Sequence, residues 1–423
     1  MIRFLLKGIV RDRHRSFFPV LIVTLGVAVT TVMHAFMDGM ADEMVRNMAR
    51  LDSGHVKVVT RGYGEIVSQI PNDLAIRSAD SVMAALEARY PGMEWTPRIK
   101  FGGLLDFPDS TGETRAQGPA AGFAADLLGE GSGEIARLNL AQSLVRGRLP
   151  SSPNEILVSD EFASRLGVEI GGTATLIGST AYGSMAVHNF RLAGTIRFGI
   201  APLDRNMLIA DIADVRYALD MEDMTAEILG FFPTTVYDDG AAELLADDFN
   251  GERPSGGPAG LRMLTLRGQG GIGQMLDMAR SRSAIIIAVF IVIMSIVLWN
   301  TGLMSGIRRY GELGVRLALG ESHRHVYGTL IAESILIGIG GTAAGAAIGL
   351  AVSYFLQEVG WDISGMMRGS SVMMSNVIRA RVTPATWMIG LIPGMAATIL
   401  GAVFSGSGIF RRETSRLFKE LEV

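Results

Sequence analysis

The sequence predicts an α-helical membrane domain with four transmembrane helices and a large α+β extracytoplasmic domain. Three observations carry that expectation. Apolar residues make up 48% of the 423 positions and are gathered into four long runs. Arginines and lysines flank those runs on alternating ends. About 245 residues of mixed helix and strand pattern separate the first run from the second. The net charge of -4 gives no basic signature for nucleic acid. With no cysteine, neither a disulfide framework nor a thiolate metal or redox site is available.

The first run, Phe17 to Met37, holds no Asp, Glu, Lys or Arg and is long enough as a helix to cover the roughly 30 Å hydrocarbon layer. Arg3, Lys7, Arg11, Arg13 and Arg15 precede it and place residues 1–16 in the cytoplasm. The run exceeds a normal signal core, and Met33 and Ala35 make a poor cleavage pair, so residues 17–37 read as an uncleaved anchor. Further spans are expected over 283–304, 329–355 and 386–405, with Arg308, Arg309 and Arg316 after the second and Arg411, Arg412, Arg416 and Lys419 after the fourth. The alternation puts 38–282 and 356–385 outside, and 305–328 and 406–423 in the cytoplasm.

Within 38–282, Met40 to Leu51 continues the first helix outward as a stalk, and Val56, Val58 and Val59 mark a strand. Ser81 to Tyr90 reads as a helix stopped by Pro91-Gly92. Glu155 to Val158 reads as a strand, Asp160 to Leu166 as a helix, and the TATLIG and Phe190–Ile196 stretches as strands. Arg205 to Ile209 leads into another helix, and Gly251 to Gly260 is a surface loop. Asp38, Asp42 and Glu43 have two readings, a solvated membrane flank or a contact for cargo. Met366, Met367, Met373 and Met374 are open between membrane-surface packing and a soft binding surface. Gly341, Gly345 and Gly349 form overlapping GxxxG pairs, suited either to packing within one chain or to a seam between two. His323 and His325 flank Arg324 without metal-ligand spacing and read as loop histidines.

The segment from Arg308 to Val326 interleaves Arg309, Glu312, Arg316 and Glu321 with Leu313, Val315, Leu317 and Leu319, the pattern of a short amphipathic helix beside a membrane. It resembles the Glu-(Ile/Leu)-Gly-x-x-(Arg/Lys)-Ala-(Leu/Ile)-Gly-(Ala/Glu)-(Ser/Thr) signature of the FtsX-like permeases of ATP-binding cassette transporters. Glu312, Leu313 and Gly314 match its start, Arg316 its basic position, and Leu319, Gly320 and Ser322 its end. Leu317 shifts the Arg-Ala pair, leaving Ala318 available, and Glu333 matches the acidic residue that opens the following span. Ser53 to Val58, Pro97 to Ile99, Gly194 to Gly199 and Leu203 to Asn206 look more like the lipoprotein-releasing LolC and LolE branch than the macrolide-exporting MacB branch.

The resemblance implies a permease subunit that is not itself an enzyme. Arg308, Arg309, Glu312, Leu313, Gly314, Arg316, Leu319, Gly320 and Ser322 would then couple it to a cytoplasmic ABC ATPase dimer; for the arginines a plain membrane anchor is the competing reading. No Gly-x-x-x-x-Gly-Lys-Ser/Thr phosphate loop occurs, so no cofactor is expected in this chain, and ATP and Mg²⁺ belong to the partner ATPase. Further implied partners are membrane lipids, a second identical or related permease, a lipoprotein cargo and a periplasmic carrier, in the inner membrane of a bacterium. Mechanotransmitting export of a small hydrophobic compound or peptide, and envelope signalling without transport, are the alternatives.

Overall fold

The chain is described by a computed structural model over residues 13–109, 111–234, 237–251, 257–308, 315–316, 318–362, 373 and 377–410. It divides into a helical unit, Met1–Asp42, Leu276–Trp361 and Ile378–Val423, and an α+β unit, Glu43–Met275 and Asp362–Val377. Helix α1 (Arg13–Met48) runs into a π-turn, Ala49–Ser53, and is followed by β1 (Val56–Thr60), β2 (Ile76–Arg77) and α2 (Ala79–Arg89). The long strands β3 (Glu94–Pro108) and β4 (Thr114–Ala125) come next, then α3 (Glu134–Arg137), β5 (Leu144–Gly147), β6 (Glu155–Ser159) and α4 (Asp160–Leu166). After β7 (Thr173–Ser179), β8 (Met185–Ile196) and β9 (Met207–Asp211) lie α5 (Ile212–Ala218), β10 (Met224–Thr225), β11 (Glu227–Phe231), α6 (Asp239–Gly251) and β12 (Leu261–Thr265). Three long helices follow: α7 (Ile272–Arg308), α8 (His323–Val359) and α9 (Pro384–Phe410).

In the α+β unit, β3 pairs with β4, β4 with β9, β9 with β6, β6 with β8, β8 with β7, and β7 with β3, which closes a six-stranded barrel. Ile99, Phe101, Leu105, Phe107, Ile156 and Phe190 belong to its packed core. The first residues of β3 also pair with β11, so that β12, β1, β11 and β3 form an antiparallel sheet continuous with the barrel. Its Val56, Val58, Trp95, Ile228 and Met263 pack against Leu86 of α2 and Ala242, Ala246 and Phe249 of α6. β2 and β10 form a separate ribbon.

The expected strands over 56–59, 155–158, 173–178 and 190–196, and the helices over 81–90 and 160–166, are present with shifts of a few residues. Ser159 starts α4 by accepting a hydrogen bond from Phe162 N, and Gly167, at φ +63°, ends it. Met373 corrects its two sequence readings: it is neither a binding surface nor a membrane contact. It is buried against Leu138, Leu157 and Phe198, and its amide donates to Arg197 O at 2.8 Å. Met366, Met367 and Met374 lie outside the described residues.

Among the described residues three helices are long and apolar enough to cross a membrane: Phe17–Ser53, His323–Val359 and Pro384–Val403. The second expected span falls on α7, whose apolar stretch Ala284–Asn300 is shorter. Within the unit α1 packs on α8 and α7, and α9 on α8 and α7, around a core of Val23, Val27, Met294, Leu298 and Ala397. Thr30, Thr31, Ser295, Ser353 and Thr398 return their hydroxyls to backbone carbonyls of their own helices at 2.7–2.9 Å, so they enter this apolar bundle with their hydrogen bonds made.

Candidate functional site

The segment joining α7 to α8 is the first candidate. Arg308 ends α7, while Arg309, Glu312, Leu313, Gly314 and Leu317 lie outside the described residues. Leu319 N donates to Val315 O at 2.9 Å and closes one turn. Gly320 then reverses the chain at φ +91°, a conformation that a side chain would strain. Ser322 caps α8, its hydroxyl accepting from His325 N. Arg316 grips Glu321 at two points, Nε to Oε2 at 2.6 Å and Nη2 to Oε1 at 2.7 Å, and His325 Nε2 lies 3.5 Å from Oε1. The hydrogen bond from Arg316 is the main reason the Glu321 carboxyl is held below its usual range. Arg316 is therefore engaged within the chain rather than displayed. Two apolar groups also face outward, Leu319 at 83% exposure and Val315 at 60%. Glu333 is half-buried in α8.

The glycines of α8 meet α1. A Cβ on Gly341 would stand 2.8 Å from Val23 Cβ, one on Gly345 2.5 Å from Thr24 O, and one on Gly349 2.8 Å from Thr31 Cβ. Thr24 Oγ1 donates to Gly341 O at 3.2 Å. Of the two readings of this face, the structure realises packing within one chain. Lipid gives little hydrophobic drive between helices, so close backbone approach supplies the contact.

The carboxylates of the acidic flank have partners within the chain. Asp42 pairs with Arg381, Thr383 Oγ1 donates to Asp38 Oδ2 at 3.4 Å, and Glu43 pairs with Arg46 at 2.8 Å. These carboxylates are internal fasteners.

Sequence reasoning missed a buried ion cluster on the second face of the open sheet. Glu227 lies directly opposite Arg98 across β11 and β3. It pairs with Lys57 at 2.8 Å and Lys100 at 3.1 Å, and Lys100 also reaches Asp52 in the turn after α1. Arg98 pairs with Glu134 of α3, which also takes Arg137, and stacks on Phe123. Burial, with repulsion from Arg137, draws the Arg98 guanidinium down to about 9 against the pull of Glu227 and Asp52. For Lys100 burial acts in the same direction but is overcome by Glu227 and Asp52, which hold its ammonium above the usual range. The available signal was alternation: Lys57, Arg98 and Lys100 interrupt otherwise apolar strands at every second position. Ser53 to Val58 and Pro97 to Ile99, two of the four motifs resembling the LolC and LolE branch, belong to this sheet and its ion pairs.

His55, between the π-turn and β1, accepts a hydrogen bond from Phe232 N through Nδ1 at 2.9 Å and lies among Phe231, Phe232 and Tyr237. Burial brings its pKa down to about 4. A histidine held neutral while the unfolded chain protonates near its ordinary value of about 6.5 costs stability as pH falls. Thermal unfolding is expected to lose up to about 1.4 kcal/mol per pH unit from this group between about pH 6.5 and about pH 4. His55→Asn, which keeps an acceptor without the titration, should flatten that slope.

Residues 16–237 match the family model described as the MacB-like periplasmic core domain, and residues 284–414 match that of the FtsX-like permease C-terminal domain. A search of curated proteins finds no match. Among solved structures, the crystal structure of the periplasmic region of MacB from Actinobacillus actinomycetemcomitans is similar at 12% identity and a TM-score of 0.34, over 54% of this chain and 97% of that one. The matches are at the level of the family and do not single out the LolC and LolE branch.

Proposed function

The chain belongs to the family of permeases with a MacB-like periplasmic core and an FtsX-like C-terminal domain, and from that premise we propose that it is a mechanotransmitting exporter subunit. A permease of this family is a non-catalytic, multi-pass membrane protein with a large domain outside the bilayer. On our reading ATP is hydrolysed by a separate cytoplasmic ATPase dimer, two permeases assemble, and the α+β unit lies in the periplasm of a bacterium. The four-span arrangement is part of the same reading, with α7 as the second span. The cargo is a small hydrophobic compound or a peptide.

The observation that carries this reading is the match of the α+β unit to the MacB-like core, on the same chain as an FtsX-like helical domain. The composition of the bundle supports it: its core is apolar and glycine-packed, which suits a body that transmits movement better than a wide aqueous channel. Lipoprotein extraction is the second reading. It rests on the four short motifs noted above, and two of these already have a role in the sheet and its ion cluster.

The segment after α7 is the proposed seat for the ATPase, with Leu319 and Val315 as its contacts and the Arg316–Glu321 pair as the brace that presents them. Leu319→Glu is expected to abolish permease-dependent stimulation of the ATPase, whereas Glu321→Gln should reduce it by about threefold, in keeping with the modest worth of an exposed ion pair. Reconstitution with the ATPase that co-purifies from native membranes checks both. ATP-driven accumulation of a hydrophobic dye or peptide in inverted vesicles supports export; release of an acylated protein instead selects the second reading; recovery of no ATPase removes both.

A further inference from the structure

Residues 379–383, which lead into α9, form a strap across the helix ends. Arg379 Nη1 donates to Gln357 O at 3.3 Å and Glu358 O at 2.9 Å, and Val382 N to Gln357 Oε1 at 2.9 Å, so the strap is tied to the end of α8. Toward α1, Arg381 N donates to Ala35 O at 2.8 Å, Arg381 pairs with Asp42, and Gly39 admits the strap backbone at Arg379 and Ala380. At Thr383 the strap becomes the cap of α9, with Pro384 at its first position. One short segment thus fastens α1, α8 and α9 together.

Beneath it, on the apolar helix α1, lies His34. The residue is 7% exposed, and its Nδ1 is buried without a hydrogen-bond partner among the described residues. The nearest charged atom is Asp38 Oδ2 at 3.5 Å, one helical turn on, and the same oxygen accepts from Thr383 of the strap. Other charged groups placed at this end among the described residues are Asp42 on α1, Arg379 and Arg381 in the strap, and Glu358 at the end of α8. Arg379 and Arg381 are occupied by carbonyls and by Asp42. Asp38 is therefore the acid positioned to share a proton with His34.

An ionisable side chain inside a membrane helix is a functional-site candidate by default, and here its unfilled nitrogen faces a carboxylate. A metal would need more ligands: no cluster of three or more His, Asp and Glu side chains stands here among the described residues. We propose that His34 and Asp38 form a proton-binding site that controls the strap. A proton from the aqueous phase adds to the imidazole, Nδ1–H then donates to Asp38 Oδ2, and the uncharged imidazole becomes an imidazolium held by the carboxylate. Asp38, fixed by this bond, in turn fixes Thr383, so the strap closes on α1 when the proton is bound and loosens when it leaves.

Because the chain has no cysteine, a single introduced thiol reports on the strap. The full-length protein carrying Val382→Cys, in lipid nanodiscs, would be labelled with dithiodipyridine, and its rate divided by that of Tyr217→Cys, a side chain 79% exposed. The normalised rate is expected to fall about fivefold between about pH 8 and about pH 5, to lose that dependence in His34→Gln and Asp38→Asn, and to stay slow at both pH values in His34→Lys. An unchanged pH profile in His34→Gln, or fast labelling of His34→Lys at the higher pH, overturns the proposal. Each variant is read only where its gel-filtration profile equals the parent's; if His34→Gln does not meet that condition, Asp38→Asn decides by the same criterion.

Discussion

Gly345→Val is expected to separate α8 from α1 and to cost about 3 kcal/mol or more, because the new side chain meets backbone that cannot rotate away. The β-carbon alone would lie 2.5 Å from Thr24 O, 3.1 Å from Thr24 Cα and 2.8 Å from Val27 Cβ. Gly341 and Gly349 lie one turn to either side on the same face, against Val23 and Thr31, so a helix pushed off at the centre loses both. Gly340, with nothing within 4 Å of its β-carbon position, supplies the control. Gly340→Ala should be neutral or slightly stabilising, since alanine has the better helix propensity by about 1 kcal/mol. Thermal unfolding in detergent, with the fraction of monodisperse protein after gel filtration, distinguishes the two. Equal stability of both variants would show that the glycine face does not hold the bundle.

The second large effect belongs to the ion cluster. Glu227→Gln leaves Lys57 buried without its carboxylate and Lys100 with Asp52 alone, and removal of one partner from a buried pair costs about 3–5 kcal/mol. For a unit of this size the unfolding temperature should drop by about 10 °C. The double variant Lys57→Met with Glu227→Leu removes both desolvated charges and should recover most of that loss, since an apolar pair of similar volume is often as stable as the buried ions it replaces. If the double variant proves less stable than Glu227→Gln, the cluster is holding the sheet by more than charge compensation.

Patterns of one period were readable from sequence. Continuous apolar runs gave α1, α8 and α9, and the short alternating strands β1, β6, β7 and β8 announced themselves because each is bounded by glycine or charge. β4 stayed hidden. Its TRAQGPAAGFAA carries two glycines, a proline and five alanines, a poor strand by propensity, and it is held extended by pairing with β3 on one side and β9 on the other. β3 was obscured by Pro97, Gly102 and Gly103. At the candidate site, the signature residues marked the right segment, but not that Arg316 would turn inward to Glu321, because a five-residue separation across Gly320 becomes a contact only through the left-handed turn there. The three α8 glycines declared close approach without naming the neighbour, which depends on how the chain returns to α1 after some three hundred residues. His34 and Asp38 were visible as residues, and their relation to Thr383 required the fold.

Closure of the barrel has a consequence for how the α+β unit bears load. A strand at an open edge can be peeled away one hydrogen bond at a time, while a strand flanked on both sides must be sheared past two neighbours at once. β3 is paired along its whole length, with β11 over Glu94–Arg98 and with β4 from Ile99 onward, it lies between β4 and β7 over Gly103–Asp106, and it is shared by the barrel and the open sheet. Tension that reaches Gly103–Asp106 is therefore carried by two ladders acting in parallel. The weak line is elsewhere, at β12, the border strand of the open sheet. Its one strand partner among the described residues is β1; it is otherwise held by Asn250 at Met263, and it leads directly into α7. Under a steadily increasing pull applied through α7 in single-molecule experiments, β12 should detach first and at low force, and the barrel should yield last.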